Sequence, residues 1–198
     1  LSIKSDAIVN DTVAFYKAAQ NMEYVGKVKA GRYRLTKGMS NRAFINMLKA
    51  GNQESVKVSF QNVRLKHTLA GMVSKKIETD SASISTLLDS TEFVKKYGFT
   101  TDNVYTMFIP NSYEIYWNTD AEKFFNRMHE EYTKFWNADR KSKASSINLS
   151  PIEVSILASI VDGEALNDKE MPRIAGLYMN RLLKGIRLEA DPTVIFAV

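Results

Sequence analysis

Ser150-Pro-Ile-Glu-Val-Ser-Ile-Leu-Ala-Ser-Ile-Val-Asp-Gly-Glu164 is the stretch on which the reading of this chain turns. Ser150 is an N-cap, Pro151 fits the first helical position, and Glu153 stands where its carboxylate reaches back to the cap amide, so the stretch opens a helix with a capping box. The helix is predicted to run to about Leu166. Leu157, Ile160, Val161 and Glu164 fall at i, i+3, i+4 and i+7, on one face. The apolar stripe therefore ends in a carboxylate. Apolar surroundings penalise the charged form of an acid, and the C-terminal end of a helix carries partial negative charge that penalises it further. A carboxylic acid kept neutral is what general acid catalysis of glycosidic cleavage requires. The same periodicity also fits a boundary acid turned to water or paired with Arg173 or Arg181. Asp162 lies about 200° around the helix from Glu164 and reads as a surface acid.

Outward toward the C-terminus, a second helix begins after Asn167-Asp168. Ile174, Leu177, Tyr178 and Leu182 give it a predicted buried face, Asn180 and Arg181 stand near its close, and Gly185 ends it. Residues 186–198 read as extended, with Glu189, Asp191 and Thr193 around Pro192. These polar groups fit the lining of a sugar cleft; they equally fit a turn in which Asp191 caps free amides. Toward the N-terminus, residues 138–148 read as a polar linker. Residues 121–136 read as a long amphipathic helix with Phe124, Phe125, Met128, Tyr132, Phe135 and Trp136 as a core stripe. Residues 104–116 read as irregular or strand-like around Pro110. Three short helices are predicted near 65–78, 83–88 and 91–97. Residues 55–60 alternate as a strand with Val56, Val58 and Phe60 on one side. Before it comes a helix capped by Ser40 and ended by Gly51, with Phe44, Ile45 and Leu48 inward. A strand is predicted over 31–35, and a first helix over 11–23 with Val13, Tyr16 and Ala19 on its buried face.

The chain has 198 residues, 44% of them hydrophobic and 11% aromatic, enough to build a core rather than a disordered tail. There is no Cys, which excludes disulfides, thiolate zinc sites and a thiol nucleophile. Two His, far apart in sequence, give little inventory for a His-rich metal site or a Ser-His-Asp triad. The net charge of +5 is scattered rather than blocked, which reads as a solvated charged surface and not as a nucleic-acid interface. No apolar run reaches the roughly 20 residues that span a bilayer. The start at Leu1 without Met, and the stop at Val198 directly after an apolar run, read as ends cut from a longer protein.

Three ordered motifs resemble one family. They are Leu157-Ala-Ser-Ile-Val-Asp-Gly-Glu164, Ala175-Gly-Leu-Tyr-Met-Asn-Arg-Leu182 and Gly185-Ile-Arg-Leu-Glu-Ala-Asp-Pro-Thr-Val194. Together they resemble the YceG-like family, the MltG endolytic murein transglycosylases. Upstream, Met107-Phe-Ile-Pro-Asn-Ser-Tyr113 is similar to the family's Phe-Pro-Asp-Thr-Tyr stretch. Residues 30–40 are similar to the LysM-like unit that precedes the catalytic part. Two departures stand out: Ala165 follows the acid where the family usually carries Thr, and Asn111-Ser112 replace Asp-Thr.

The resemblance implies an α+β fold, with a LysM-like unit over residues 1–54 and a mostly helical catalytic domain over 55–198. It implies Glu164 as the single catalytic acid/base, with Tyr113, Asn180, Glu189, Asp191 and Thr193 gathered around it to bind substrate. The substrate class it implies is the glycan strand of peptidoglycan, cut internally between MurNAc and GlcNAc to leave 1,6-anhydro ends, with no metal or other cofactor. It also implies work beside peptidoglycan synthases at the extracytoplasmic face of a bacterial inner membrane, held by an anchor helix outside this sequence, with no nucleic-acid partner. Two other readings stay open on the residues alone. A hydrolysing muramidase needs a second acid roughly 5–9.5 Å from Glu164, for which Glu189 and Asp191 are the sequence candidates. A non-enzymatic peptidoglycan-binding module needs no acid at all.

Overall fold

The computed structural model of the chain describes residues 11–61, 63, 65–191 and 193. Residues 1–10 of the first unit, and the apolar run over 194–198, lie outside the described residues. The fold is α+β: among the described residues nine α-helices accompany a single two-stranded sheet.

α1 (Thr12–Asn21) and α2 (Asn41–Ala50) pair over a small core of Phe15, Ala19, Tyr24, Ile45 and Leu48. Phe44 closes it against Phe15, with ring centroids 5.3 Å apart. The Ser40 hydroxyl accepts the Ala43 N–H at 3.2 Å, and Gly51 ends α2 at φ 74°, where a Cβ would be penalised. Two expectations fail here. Val13 and Tyr16 stay 70% and 55% exposed, and Phe15 turns inward beside the expected Ala19. Packing against Ile45 and Leu48 of α2 selects that face. The strand expected at 31–35 does not form. Among the described residues no ladder partner lies beside it, and its ties to the next segment are the Glu54 N–H to the Arg32 carbonyl (2.7 Å) and the Arg34–Glu54 ion pair (2.6 Å).

The main core is built on the sheet. β1 (Ser55–Phe60) and β2 (Asn111–Tyr116) run antiparallel, with Ser55 opposite Tyr116 and Val58 opposite Tyr113. Val56, Val58 and Phe60 alternate inward with Tyr113 and Ile115. α3 (Lys66–Ser74), α4 (Ser81–Asp89), α5 (Thr91–Lys95), a 3₁₀ turn at Val104–Met107 and α6 (Ala121–Phe135) complete the cluster. α6 supplies Phe124, Phe125 and Met128, all essentially without solvent exposure, so its aromatic stripe is core as its spacing predicts.

α7 (Ala138–Ser146) occupies the stretch that reads as a linker. It buries only Ala144 and so carries no apolar stripe to betray it. Local chemistry holds it instead: the Asn137 side chain accepts the Arg140 N–H, Lys143 pairs with Asp139 one turn away, and the Arg140 guanidinium lies 4.3 Å from the Phe135 ring centroid. α8 (Pro151–Glu164) then opens with the predicted capping box, Ser150 and Glu153 each satisfying the other's backbone N–H. α9 (Met171–Leu183) follows. Its burial is narrower than predicted. Tyr178 is buried, but Leu177 and Leu182 are 56% and 42% exposed.

The caps couple stability to pH. The Ser83 N–H and hydroxyl hold the Asp80 carboxyl below its ordinary value, and the Ser150 N–H and hydroxyl do the same for Glu153. A depressed folded-state value contributes stability above the unfolded value, and that contribution is lost as pH falls through the folded one. The melting temperature is therefore expected to drop as pH falls below the ordinary carboxylate range. Asp80→Asn, which keeps the cap but not the charge, is expected to flatten that drop in a pH series of thermal melts.

Candidate active site

Glu164 is the last residue of α8, and the chain turns sharply behind it. The Ala165 N–H still reaches the Val161 carbonyl at 3.0 Å, closing the final helical turn. Glu170 then organises the loop. Its carboxylate accepts the Leu166 N–H at 3.2 Å and the Asn167 side-chain amide at 2.9 Å. Pro172, in the first turn of α9, suits a position where an N–H has no helical partner. α9 returns against α8, and Val161, Tyr178 and Ala190 form a third core, with Leu157, Ile160, Ile174 and Leu188 packed around it.

Tyr178 faces the carboxylate across this hairpin. Its hydroxyl donates to Glu164 Oε1 at 3.0 Å while its ring is 5% exposed. Burial first, then the hydrogen bond and charge of Glu164, then the charge of Asp191, push the Tyr178 hydroxyl up to about 12, with Arg181 acting the other way. The phenol therefore stays protonated across neutral pH and remains a donor. Glu164 itself is half-buried, so its desolvation is partial.

Arg181 lies one turn beyond Tyr178 on α9. Its Nε donates to the Arg187 carbonyl at 2.7 Å, and its Nη2 donates to Glu189 Oε2 at 2.5 Å. This fork fastens the return segment to the helix. Gly185 turns it at φ 65°, and Glu189 adopts φ 52°, a left-handed backbone uncommon for a residue with a Cβ. Ala190 is fully buried beneath it. The expectation of an extended 186–198 needs correction over the described part. Residues 186–190 are irregular, and the backbone is helical at Asp191 and Thr193. The Ala190 carbonyl accepts both the N–H (3.0 Å) and the hydroxyl (2.6 Å) of Thr193, and this local turn competes with an extended course.

Glu189, Asp191 and Thr193 lie on the return segment after α9, where the charge of Asp191 acts on the same Tyr178 that donates to Glu164. Two expected neighbours lie elsewhere. Tyr113 belongs to the main core, its ring 5.3 Å from Phe60 and its hydroxyl donating to the Ile109 carbonyl. Asn180 is exposed on α9, about 200° around the helix from Tyr178. Sequence reasoning gave Tyr178 a place on the buried face and Arg181 a pairing with Glu164 as one alternative, but neither a part in the site. Their spacing to the acid, one on an apolar face and one a turn later, was visible, but the fold alone reveals the partner each side chain takes. Arg181 holds Glu189 rather than Glu164. An open concavity of about 540 Å³ adjoins the end of α8, lined by Asn167, Asp168 and Lys169. Among the described residues no group of three His, Asp or Glu side chains is arranged to hold a metal.

The chain has counterparts among known proteins. The chain belongs to the YceG-like family, whose sequence profile matches residues 2–198. It is 25% identical over 207 residues to the endolytic murein transglycosylase of Bacillus subtilis (strain 168), an alignment covering 95% of this chain and 57% of that protein. The chain thus spans a little over half the length of that relative. The crystal structure of a yceG-like protein from Listeria monocytogenes shares the fold, with a TM-score of 0.63 at 21% identity, covering 95% of this chain and 67% of that one.

Proposed function

We propose that this chain carries the acid of an endolytic peptidoglycan transglycosylase, and that Glu164 is its one catalytic group. The observation that carries this reading is the Glu164–Tyr178 pair: a half-buried carboxylate whose direction is set by a buried, permanently protonated donor. The family, and a relative named for murein cleavage, supply the substrate class. Glu164, protonated, gives its proton to the glycosidic oxygen as positive charge builds at C1 of MurNAc. The resulting carboxylate takes the proton from the C6 hydroxyl, which attacks C1 and closes a 1,6-anhydro ring. The bond between C1 and the bridging oxygen breaks, the bond between O6 and C1 forms, and no water enters. A second carboxylate to activate water is therefore not required. Glu189, one sequence candidate for that second acid, is already committed to Arg181.

Asp191 keeps the hydrolytic reading open, because its exposed carboxylate lies close enough for its charge to act on Tyr178. Weighing the products separates the two. Digestion of purified glycan strands is expected to give anhydro ends; new ends heavier by one water would mean a hydrolase. The proposal extends to the setting. The first unit, residues 1–54, acts as a LysM-like glycan-holding module, with Glu189, Asp191 and Thr193 assisting on the substrate side. The protein works at the cell envelope, on the outer face of the inner membrane and beside peptidoglycan synthases. No single described helix is long and apolar enough to cross a membrane.

A further inference from the structure

We infer that Tyr178 is the positioning residue of this site: its hydroxyl fixes the Glu164 carboxylate in one rotamer. The inference rests on the reading of Glu164 as the catalytic acid. Its ground is geometric. The residue after Glu164 leaves the helix in an extended conformation, and its N–H to the Val161 carbonyl is the last bond of the helix ladder. The hydrogen bond the described structure gives the Glu164 side chain comes from Tyr178, fourteen residues on and across the hairpin. The ring behind that hydroxyl is clamped in the Val161–Ala190 cluster, which makes the donor's position a property of the core rather than of a mobile surface.

The charged groups facing the pair come from three directions. Glu164 arrives from α8. Arg181 arrives from α9 but spends its donors on Arg187 and Glu189. Asp191 arrives from the return segment. Glu170, nearest in the loop, is occupied by the Leu166 N–H and the Asn167 amide. Tyr178 is thus the neutral donor on the acid, amid carboxylates that oppose a second negative charge. A donor to a carboxylate oxygen favours the ionised form.

The test uses the protein as encoded, in wild-type, Tyr178→Phe and Glu164→Gln forms, with purified glycan strands as substrate and thermal melts to select a temperature at which all three are folded. Tyr178→Phe is expected to lower kcat by about 10- to 100-fold with KM little changed, since a misplaced catalytic group costs rate rather than binding. A Tyr178→Phe protein with wild-type kcat overturns the inference while leaving Glu164 in place. So does a loss that falls on KM rather than kcat, or one that follows a lowered melting temperature, which would make Tyr178 packing alone. Full activity in Glu164→Gln would instead overturn the functional reading beneath it.

Discussion

Glu164→Gln is expected to abolish strand cleavage while the protein melts and binds glycan as the wild type does. General acid–base chemistry typically contributes about 10²–10⁴-fold, and more is lost when one group serves both proton transfers. Gln keeps the length and the carbonyl oxygen that Tyr178 donates to, so the hairpin keeps its hydrogen bond. What it lacks is an exchangeable acidic proton. Asp162→Asn is the matched control: Asp162 is exposed on the opposite side of α8, and its loss is expected to leave the rate unchanged. Rate assays on the two variants, with melts beside them, separate chemistry from folding. Cleavage retained by Glu164→Gln would remove the acid from the mechanism.

The largest effect on stability is expected at Phe125. Its ring has no solvent exposure and meets Phe93 at 5.1 Å and Phe108 at 5.5 Å, both edge-on. Tyr97 and Phe124 stand at 6.4 and 6.2 Å. Phe125→Ala is expected to cost about 3–5 kcal/mol, the transfer loss plus the cavity left among rings that cannot collapse into it. Against a typical domain stability of about 5–15 kcal/mol that is a large share. Tyr16→Ala, on the exposed face of α1, is expected to change stability by less than about 0.5 kcal/mol. Urea unfolding of the two variants checks both numbers. A cost at Tyr16 rivalling that at Phe125 would mean that α1 buries the face its spacing first suggests.

Tyr16 also shows where sequence reading stops. Strong stripes were legible: the α6 aromatics, the alternation of β1 and the capping box of α8 each specify an element by local chemistry that tertiary contacts then reinforce. Weak stripes were not. In α1 two faces compete, and packing against Ile45 and Leu48 chooses between them. α7 has no stripe, and i,i+4 pairing and a cap hold it instead. Residues 31–35 have strand composition but no partner strand among the described residues, which composition cannot reveal. At the candidate site the direction of Glu164 was legible from helix periodicity. The Tyr178 donor, the Arg181–Glu189 fork and the burial of Tyr113 in another cluster were not, because each depends on which elements meet.

Cleavage of purified glycan strands in heavy-oxygen water tests most directly whether Glu164 drives an intramolecular ring closure. The predicted result is new ends that are anhydro and carry no solvent oxygen, with the signal absent in Glu164→Gln. One heavy oxygen at each new reducing end would show that water, not the C6 hydroxyl, attacks C1, and would contradict the single-acid mechanism.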